Sequence, residues 1–161
     1  MNEPMRLGDP TPDPLGQKPR FQLGELLIEK GLITEAQLAE ALVERRQHGG
    51  LLGETLVRLG FVFEDELART LAEQAGVPFV NIEAHSVDRY AAGTLRRSLG
   101  ESLAALPVRF TPEGGLVVAV ADPTDETLLP RLQEAISGPI VLMVAAASSI
   151  RNTWRSFPAS A

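Results

Sequence analysis

The sequence has 161 residues, a net charge of −6 and 44% hydrophobic residues, which fits a globular protein with one domain or two small ones. It has no cysteine and only two histidines, which excludes disulfides and cysteine nucleophiles and leaves little material for a zinc site. Residues 21–76 hold ten acidic and five basic residues, and this surplus would repel a phosphate backbone, so we expect no nucleic-acid polymer as partner.

The N-terminal residues 1–19 are predicted to form a disordered tail, because five prolines occur there among polar residues. The first twenty residues carry six charges and no apolar run, so we expect no signal peptide. The longest apolar stretch, Ile140 to Ala147, is too short to cross a bilayer as a helix. These features favour a cytoplasmic protein that does not insert into a membrane.

An internal repeat follows the tail. The segment from Gln22 to Leu42 and the segment from Leu51 to Leu71 agree at nine of twenty-one positions, with an offset of 29 residues. Each copy has the pattern of a short helix, a glycine break and a longer helix. We therefore predict a helical subdomain over residues 20–76, in which two helix-turn-helix copies form four helices around one shared core.

The longer helices of the two copies differ in their predicted N-terminal caps. Thr34 is an N-cap residue with Gln37 three positions later, the pattern of a capping box. In the second copy Phe63 stands at the position of Thr34, so this helix lacks a capping side chain. The acidic run from Glu64 to Glu66 would compensate by placing negative charge at the positive end of the helix.

Residues 77–157 are predicted to form a small α/β subdomain with a three- to four-stranded sheet, which makes the chain α+β as a whole. The predicted elements, in order, are a strand at 77–82, a helical region at 87–106, a hairpin of strands at 106–110 and 116–121, a helix at 122–136, a strand at 140–145 and a final helix to 157. Ser148 or Ser149 is the predicted cap of the final helix, and residues 158–161 form a tail.

No motif in the sequence indicates catalysis. The sequence contains no phosphate-binding loop with a following lysine, no G-x-G-x-x-G, no H-E-x-x-H and no G-x-S-x-G. His48 and His85 are interpreted as loop residues, and Trp154 as a packing anchor. We therefore predict a protein that is not an enzyme and needs no cofactor.

Gly24 and Gly53 occupy matching positions near the start of the first helix in each copy. A glycine there leaves room either for a neighbouring helix or for a ligand near free backbone N–H groups. A pair of helix starts of this kind would suit an anionic ligand with two phosphates. The residues alone leave both interpretations open, and of the two they favour helix packing over ligand binding.

The doubled motif resembles the N-terminal domain of the assembly ATPases of type II secretion systems and type IV pili. The family pattern is R-L-G-x-x-L-L-x-x-G-L-L-x-x-x-x-L-x-x-A-L-x-x-Q, written twice with a five-residue spacer. This chain fits the spacing over residues 22–45 and 51–74, and the segment "GGLVVAVADPTDE" resembles the later part of the domain. The resemblance covers about residues 20–157.

Many members of this family bind cyclic di-GMP, so the resemblance implies a ligand-binding site in the doubled motif. Carried over position by position, that site comprises Gln22, Leu23, Gly24, Leu27, Leu38, Arg45, Leu52, Gly53, Leu56, Leu67 and Gln74. Binding members have arginine at the first motif position, where this chain has Gln22 and Leu51, and Arg45 replaces a glutamine at the last position of the first copy. Arginine can meet a guanine face and a phosphate together, which leucine cannot do.

The sequence therefore predicts a regulatory or adaptor domain that binds a protein component of a secretion or pilus machinery. Because no ATP-binding motif follows in these 161 residues, we expect the chain to act without a motor of its own. The alternative is a cyclic di-GMP receptor that uses the doubled motif.

Overall fold

A computed structural model describes residues 22–83 and 86–157 of the chain. Within these ranges eight helices and three strands occur in this order: α1 (Gln22–Glu29), α2 (Glu35–His48), α3 (Leu52–Arg58), α4 (Glu64–Ala75), α5 (Arg89–Ala92), α6 (Arg97–Leu103), β1 (Ala105–Phe110), β2 (Leu116–Val120), α7 (Leu128–Ala135), β3 (Ile140–Val144) and α8 (Ala147–Ser156). The predicted α+β class is confirmed. The predicted tails and His85 lie outside the described residues.

The chain divides into two compact units, residues 1–61 and 62–161. The first unit contains α1 to α3, and the second contains α4 and all the later elements. The predicted boundary after residue 76 follows the end of the repeat, whereas the units part before α4. Helix α4 joins the sheet because Ala68 and Ala72 form a buried cluster with Val144 of β3. A core shared by all four repeat helices stays a prediction.

The local structure of each repeat follows the sequence. Gly31 and Gly60 come after α1 and α3 with φ values of +73° and +77°, a conformation that glycine adopts without strain. Thr34 Oγ1 accepts a hydrogen bond from Gln37 N at 3.1 Å, and Thr34 N donates to Gln37 Oε1 at 2.9 Å. This confirms the capping box of α2. Phe63, the N-cap residue of α4, makes no capping hydrogen bond with its side chain, also as predicted.

The N-terminus of α8 is capped from another helix, and the prediction of a serine cap is wrong. Helix α8 begins at Ala147, with Ala146 as an N-cap residue that offers no side-chain acceptor. The carboxylate of Glu64, in the first turn of α4, accepts the backbone N–H of Ser148 at 2.5 Å. A carboxylate at this end of a helix satisfies a free N–H and complements the helix dipole. Glu64 therefore ties α4 to α8.

The sheet is built on β2 as its central strand. Strand β1 pairs with it antiparallel, with Ala105 opposite Val120, which confirms the hairpin. Strand β3 pairs with it parallel, with Ile140 opposite Leu116. All five residues of β2 are buried, as expected for a strand covered on both faces.

The strand predicted at 77–82 is reduced to a single bridge between Phe79 and Val144. Val80 N donates to Val144 O at 2.8 Å, and Val144 N donates to Pro78 O at 2.9 Å. The pairing does not extend toward the N-terminus, because Val77 N already donates to the last turn of α4 at 3.0 Å.

Two predicted helices are shorter in the structure. The region 87–106 contains α5 and α6, separated by a turn in which Thr94 Oγ1 donates to Ala91 O. Helix α7 begins at Leu128, six residues later than predicted. Asp122 accepts the N–H of Thr124 and Asp125 accepts that of Thr127, each at 3.0 Å, and such turns compete with the start of a helix.

Trp154 packs α8 against β1 and α6, as the interpretation of a packing anchor requires. Its side chain is 4% exposed, and Nε1 donates to Ala105 O at 2.9 Å. A Cβ atom on Gly100 of α6 would lie 2.8 Å from Trp154 Cε2, so glycine leaves the space that the indole fills. Phe157 meets the indole edge to face at 6.3 Å.

Candidate functional site in the duplicated motif

The predicted site residues come from equivalent positions of the two copies. The pairs are Gln22 with Leu51, Leu23 with Leu52, Gly24 with Gly53, Leu27 with Leu56, Leu38 with Leu67 and Arg45 with Gln74. Helices α1 to α3 and Leu51 belong to the first unit, whereas Leu67 and Gln74 lie on α4 in the second. Nine of the eleven predicted residues therefore belong to the first unit, and the site itself stays a prediction.

The leucines of α1 and α3 form an apolar frame with the same burial in both copies. Leu23 and Leu52 are each 7% exposed, and Leu27 and Leu56 are 0% exposed. Side chains at this burial contribute about 1.5–3 kcal/mol each to stability through removal from water. These leucines hold the motif in shape and expose almost no surface to a ligand.

Gly24 permits close packing between α1 and α2. A Cβ atom at this position would lie 2.8 Å and 2.9 Å from the two Cδ atoms of Leu38, closer than ordinary van der Waals contact. Gly53 is buried in the equivalent position of α3. For Gly24, the structure favours the helix-packing interpretation over direct approach of a ligand.

The two copies differ in their longer helices. Leu38 is half-buried and Arg45 is exposed, whereas the equivalent Leu67 and Gln74 are 8% and 6% exposed. Only Ala41 is buried in α2, while α4 has six buried residues. Arg45 thus keeps an accessible charge at a position where the second copy has a buried amide.

Leu51 occupies the first motif position of the second copy and is the N-cap residue of α3. It has extended backbone, makes no capping hydrogen bond and is 40% exposed. A side chain at this position reaches solvent, so an arginine here would be accessible to a ligand. The leucine that stands there supplies neither a hydrogen-bond donor nor a charge.

Positive charge gathers near the loop between the copies. Glu44 Oε1 lies 3.0 Å from His48 Nδ1 and forms an ion pair with Arg58 at 3.4 Å. The exposed side chains of Arg45 and Arg46 make no ion pair or hydrogen bond within the described part of the chain. These two guanidinium groups are therefore available to an anionic ligand.

The described residues contain neither a metal-binding cluster nor a membrane-spanning helix. No cluster of three or more histidine, aspartate or glutamate side chains is placed to hold a metal ion there. Within the same ranges, no helix combines the length and apolarity needed to span a bilayer.

Known proteins match the chain in sequence and in fold. Residues 75–161 match the MshEN domain. The type IV pilus assembly ATPase PilB of Thermus thermophilus is 42% identical over 130 residues, and PilB of Myxococcus xanthus is 32% identical over 131 residues. These alignments cover 78% and 81% of this chain, which spans only 14% and 23% of the length of the two relatives.

Two solved structures share the fold. A structure of MshE with cyclic di-GMP superposes with a TM-score of 0.71 at 29% identity, covering 84% of this chain and 98% of that one. The N-terminal domain of XpsE superposes with a TM-score of 0.69 at 26% identity, covering 86% of this chain and 96% of that one. The chain belongs to the MshEN domain family and is an N-terminal domain of the kind found in type II secretion and type IV pilus ATPases.

Proposed function

We propose that this domain is a regulatory or adaptor module that acts by binding a protein component of a type II secretion or type IV pilus machinery. The observation that carries the proposal is the fold shared with MshE, together with an exposed leucine, Leu51, at the position where the family pattern given above has arginine. A domain that keeps its apolar frame and loses a charged ligand contact is better suited to binding proteins than to binding a dianionic nucleotide. The proposal places the domain in the cytoplasm and gives it no catalytic role of its own.

The adaptor function is tested by affinity capture from the native cells. The tagged chain and the tag alone would be used as paired baits at moderate salt, followed by identification of the captured proteins. We expect components of a secretion or pilus machinery to be enriched with the chain. Enrichment of unrelated proteins only would contradict the adaptor function.

A second candidate function, cyclic di-GMP binding, is supported by the likeness to the structure of MshE with that nucleotide. Matching positions in both copies keep the leucine and glycine frame, and Arg45 and Arg46 offer unpaired charge in the described part of α2. Isothermal titration calorimetry of the purified chain with cyclic di-GMP separates the two functions. We expect no heat of binding at high micromolar protein, and saturable heat would favour the receptor function instead.

A further inference from the structure

Helices α6 and α8 of the second unit carry a group of arginines at the protein surface. We call Arg96, Arg97, Arg151 and Arg155 the basic face. Helix α8 has the sequence ASSIRNTWRS and contains no acidic residue. Positive charge is thus concentrated on these two helices in a chain whose net charge is −6.

The two helices lie side by side. Arg97 Nη1 donates to Phe157 O at 3.4 Å, and Gly100 of α6 packs against the indole of Trp154. Arg151 and Arg155 are four residues apart on α8, so they lie on one side of that helix. Arg155 is in the last turn of α8, two residues before Phe157, whose carbonyl accepts the hydrogen bond from Arg97, so this turn adjoins the start of α6.

Most of this charge has no partner. Arg97 pairs with Glu101 at 3.1 Å within α6. Arg96, Arg151 and Arg155 are exposed and form no ion pair or hydrogen bond through their side chains within residues 22–83 and 86–157. Two like charges spaced i, i+4 on a helix repel each other, so the pair on α8 does not stabilise the fold through mutual contact.

An open cleft runs beside the N-terminal end of α6. It has a volume of about 590 Å³ and is lined by Thr94, Arg96, Ser98, Leu99, Ser102 and Ala135. The hydroxyls of Thr94 and Ser102 donate to carbonyl groups of their own turns, whereas that of Ser98 has no partner within the described residues. A guanidinium group beside a free hydroxyl offers the donors that a carboxylate accepts.

An anionic membrane fits this surface less well than an acidic protein. The exposed residues of α8 are Arg151, Asn152, Arg155 and Ser156, and none of them is apolar. A helix that lies on a bilayer needs an apolar face to enter it.

We propose that the basic face binds an acidic segment of the partner protein, with carboxylates pairing to Arg151, Arg155 and Arg96. This inference rests on the adaptor function proposed above, and it adds where the partner docks and with what chemistry. The arginines would steer an acidic segment into place and align it along α8 and the cleft.

The test uses the full chain, labelled for NMR, and a synthetic peptide of alternating glutamate and serine as the probe. Arg151→Glu with Arg155→Glu is compared with Arg89→Glu with Arg109→Glu, which makes the same charge change at exposed positions on α5 and β1. We expect peptide-induced shifts at residues 96–102 and 151–156. We also expect the first double variant to weaken binding at least about tenfold, equal to about 1.4 kcal/mol, and the second to change it little.

Several results would overturn this inference. The first is that the NMR shifts map to other residues, and the second is that both double variants lose the same amount of affinity for the peptide. The third is that the chain associates with itself in sedimentation and does not bind the peptide. The fourth is that the unmodified chain binds phosphatidylserine vesicles and not the peptide. Thermal unfolding of each variant verifies that it folds.

Affinity capture with the same variants separates this inference from the adaptor function. If machinery components bind the Arg151→Glu, Arg155→Glu variant as well as the unmodified chain, the adaptor function holds and the basic face is not the docking site. If no machinery component is captured while the peptide still binds the basic face, the assignment to secretion or pilus machinery fails.

Discussion

The contact between Gly100 and Trp154 leads to the most direct prediction about the stability of the second unit. A Cβ atom at Gly100 would fall against Cζ2 of the indole, 2.8 Å from Cε2 and 3.0 Å from Ala105 O. The indole cannot move freely, because it is 4% exposed and Nε1 is bound to that same carbonyl at 2.9 Å. We therefore expect Gly100→Ala to destabilise the protein.

The expected size follows from three terms. Overpacking a filled core costs about 1–3 kcal/mol. Replacing glycine by alanine in a helix stabilises the helix by roughly 1 kcal/mol. If the indole is displaced far enough to break its hydrogen bond, the unsatisfied buried N–H adds about 1–3 kcal/mol. The net loss of unfolding free energy for Gly100→Ala is thus about 2 kcal/mol.

Urea unfolding followed by tryptophan fluorescence measures this loss. Trp154 is the sole tryptophan in the sequence, so its emission reports on the second unit directly. The matched control is Gly93→Ala at the end of α5 in the same unit, an exposed position with right-handed helical backbone where a Cβ atom would lie 3.3 Å from Arg89 O and 3.5 Å from Tyr90 O. There the steric cost and the gain in helix propensity should nearly cancel, with a net change within about 1 kcal/mol.

A double-mutant cycle with Trp154→Phe tests the cause of the Gly100 effect. Phenylalanine removes the indole ring atoms that the new methyl group meets, so Gly100→Ala should cost less in that background. The reasoning is refuted if Gly100→Ala leaves stability and fluorescence unchanged, or if its cost is the same in both backgrounds.

Three further predictions concern the helix caps. Phe63→Thr should stabilise α4 by about 0.5–1.5 kcal/mol in thermal unfolding, because Phe63 is 77% exposed and Glu66 lies at the position that completes a capping box with threonine. A decrease in stability would show that Phe63 supports the fold. Glu64→Ala should lower the free energy of unfolding by about 0.5–2 kcal/mol, because α8 loses its cap, and Glu64→Gln should lower it less. The control Asp65→Ala, at the exposed neighbouring position, should be nearly neutral. Equal effects at both positions would contradict a specific cap. Thr34→Ala should speed amide exchange in the first turn of α2, and unaltered exchange there would argue against the capping box.

The sequence predicts best those features that depend on neighbouring residues. The capping box of Thr34 and Gln37, the break at Gly60 and the hairpin are set by local spacing and turn chemistry, and all three are present. The periodic leucines likewise identify the buried positions of α1 and α3.

Contacts between distant parts of the chain are what the sequence does not reveal. Glu64 caps α8 across 84 residues, and no local pattern connects it with Ser148. The grouping of α4 with β3 depends on the small side chains of Ala68 and Ala72, which look like ordinary helix residues in sequence. The same holds for the proposed site. The resemblance gives the positions of the site residues, but only the structure shows which of them are exposed enough to contact a ligand. Arg45 is exposed whereas Gln74, its equivalent, is buried.

We propose that the domain keeps the apolar frame of its family and lacks the arginines through which binding members contact cyclic di-GMP. Calorimetry of the unmodified chain and of the Gln22→Arg, Leu51→Arg double variant, each titrated with cyclic di-GMP, examines both features. We predict no binding heat for the unmodified chain and saturable binding for the double variant, because arginine restores a charge and a stacking surface at both first motif positions. Tight binding of cyclic di-GMP by the unmodified chain would contradict the loss of the charged contacts. A folded double variant that binds no better than the unmodified chain would contradict an intact apolar frame.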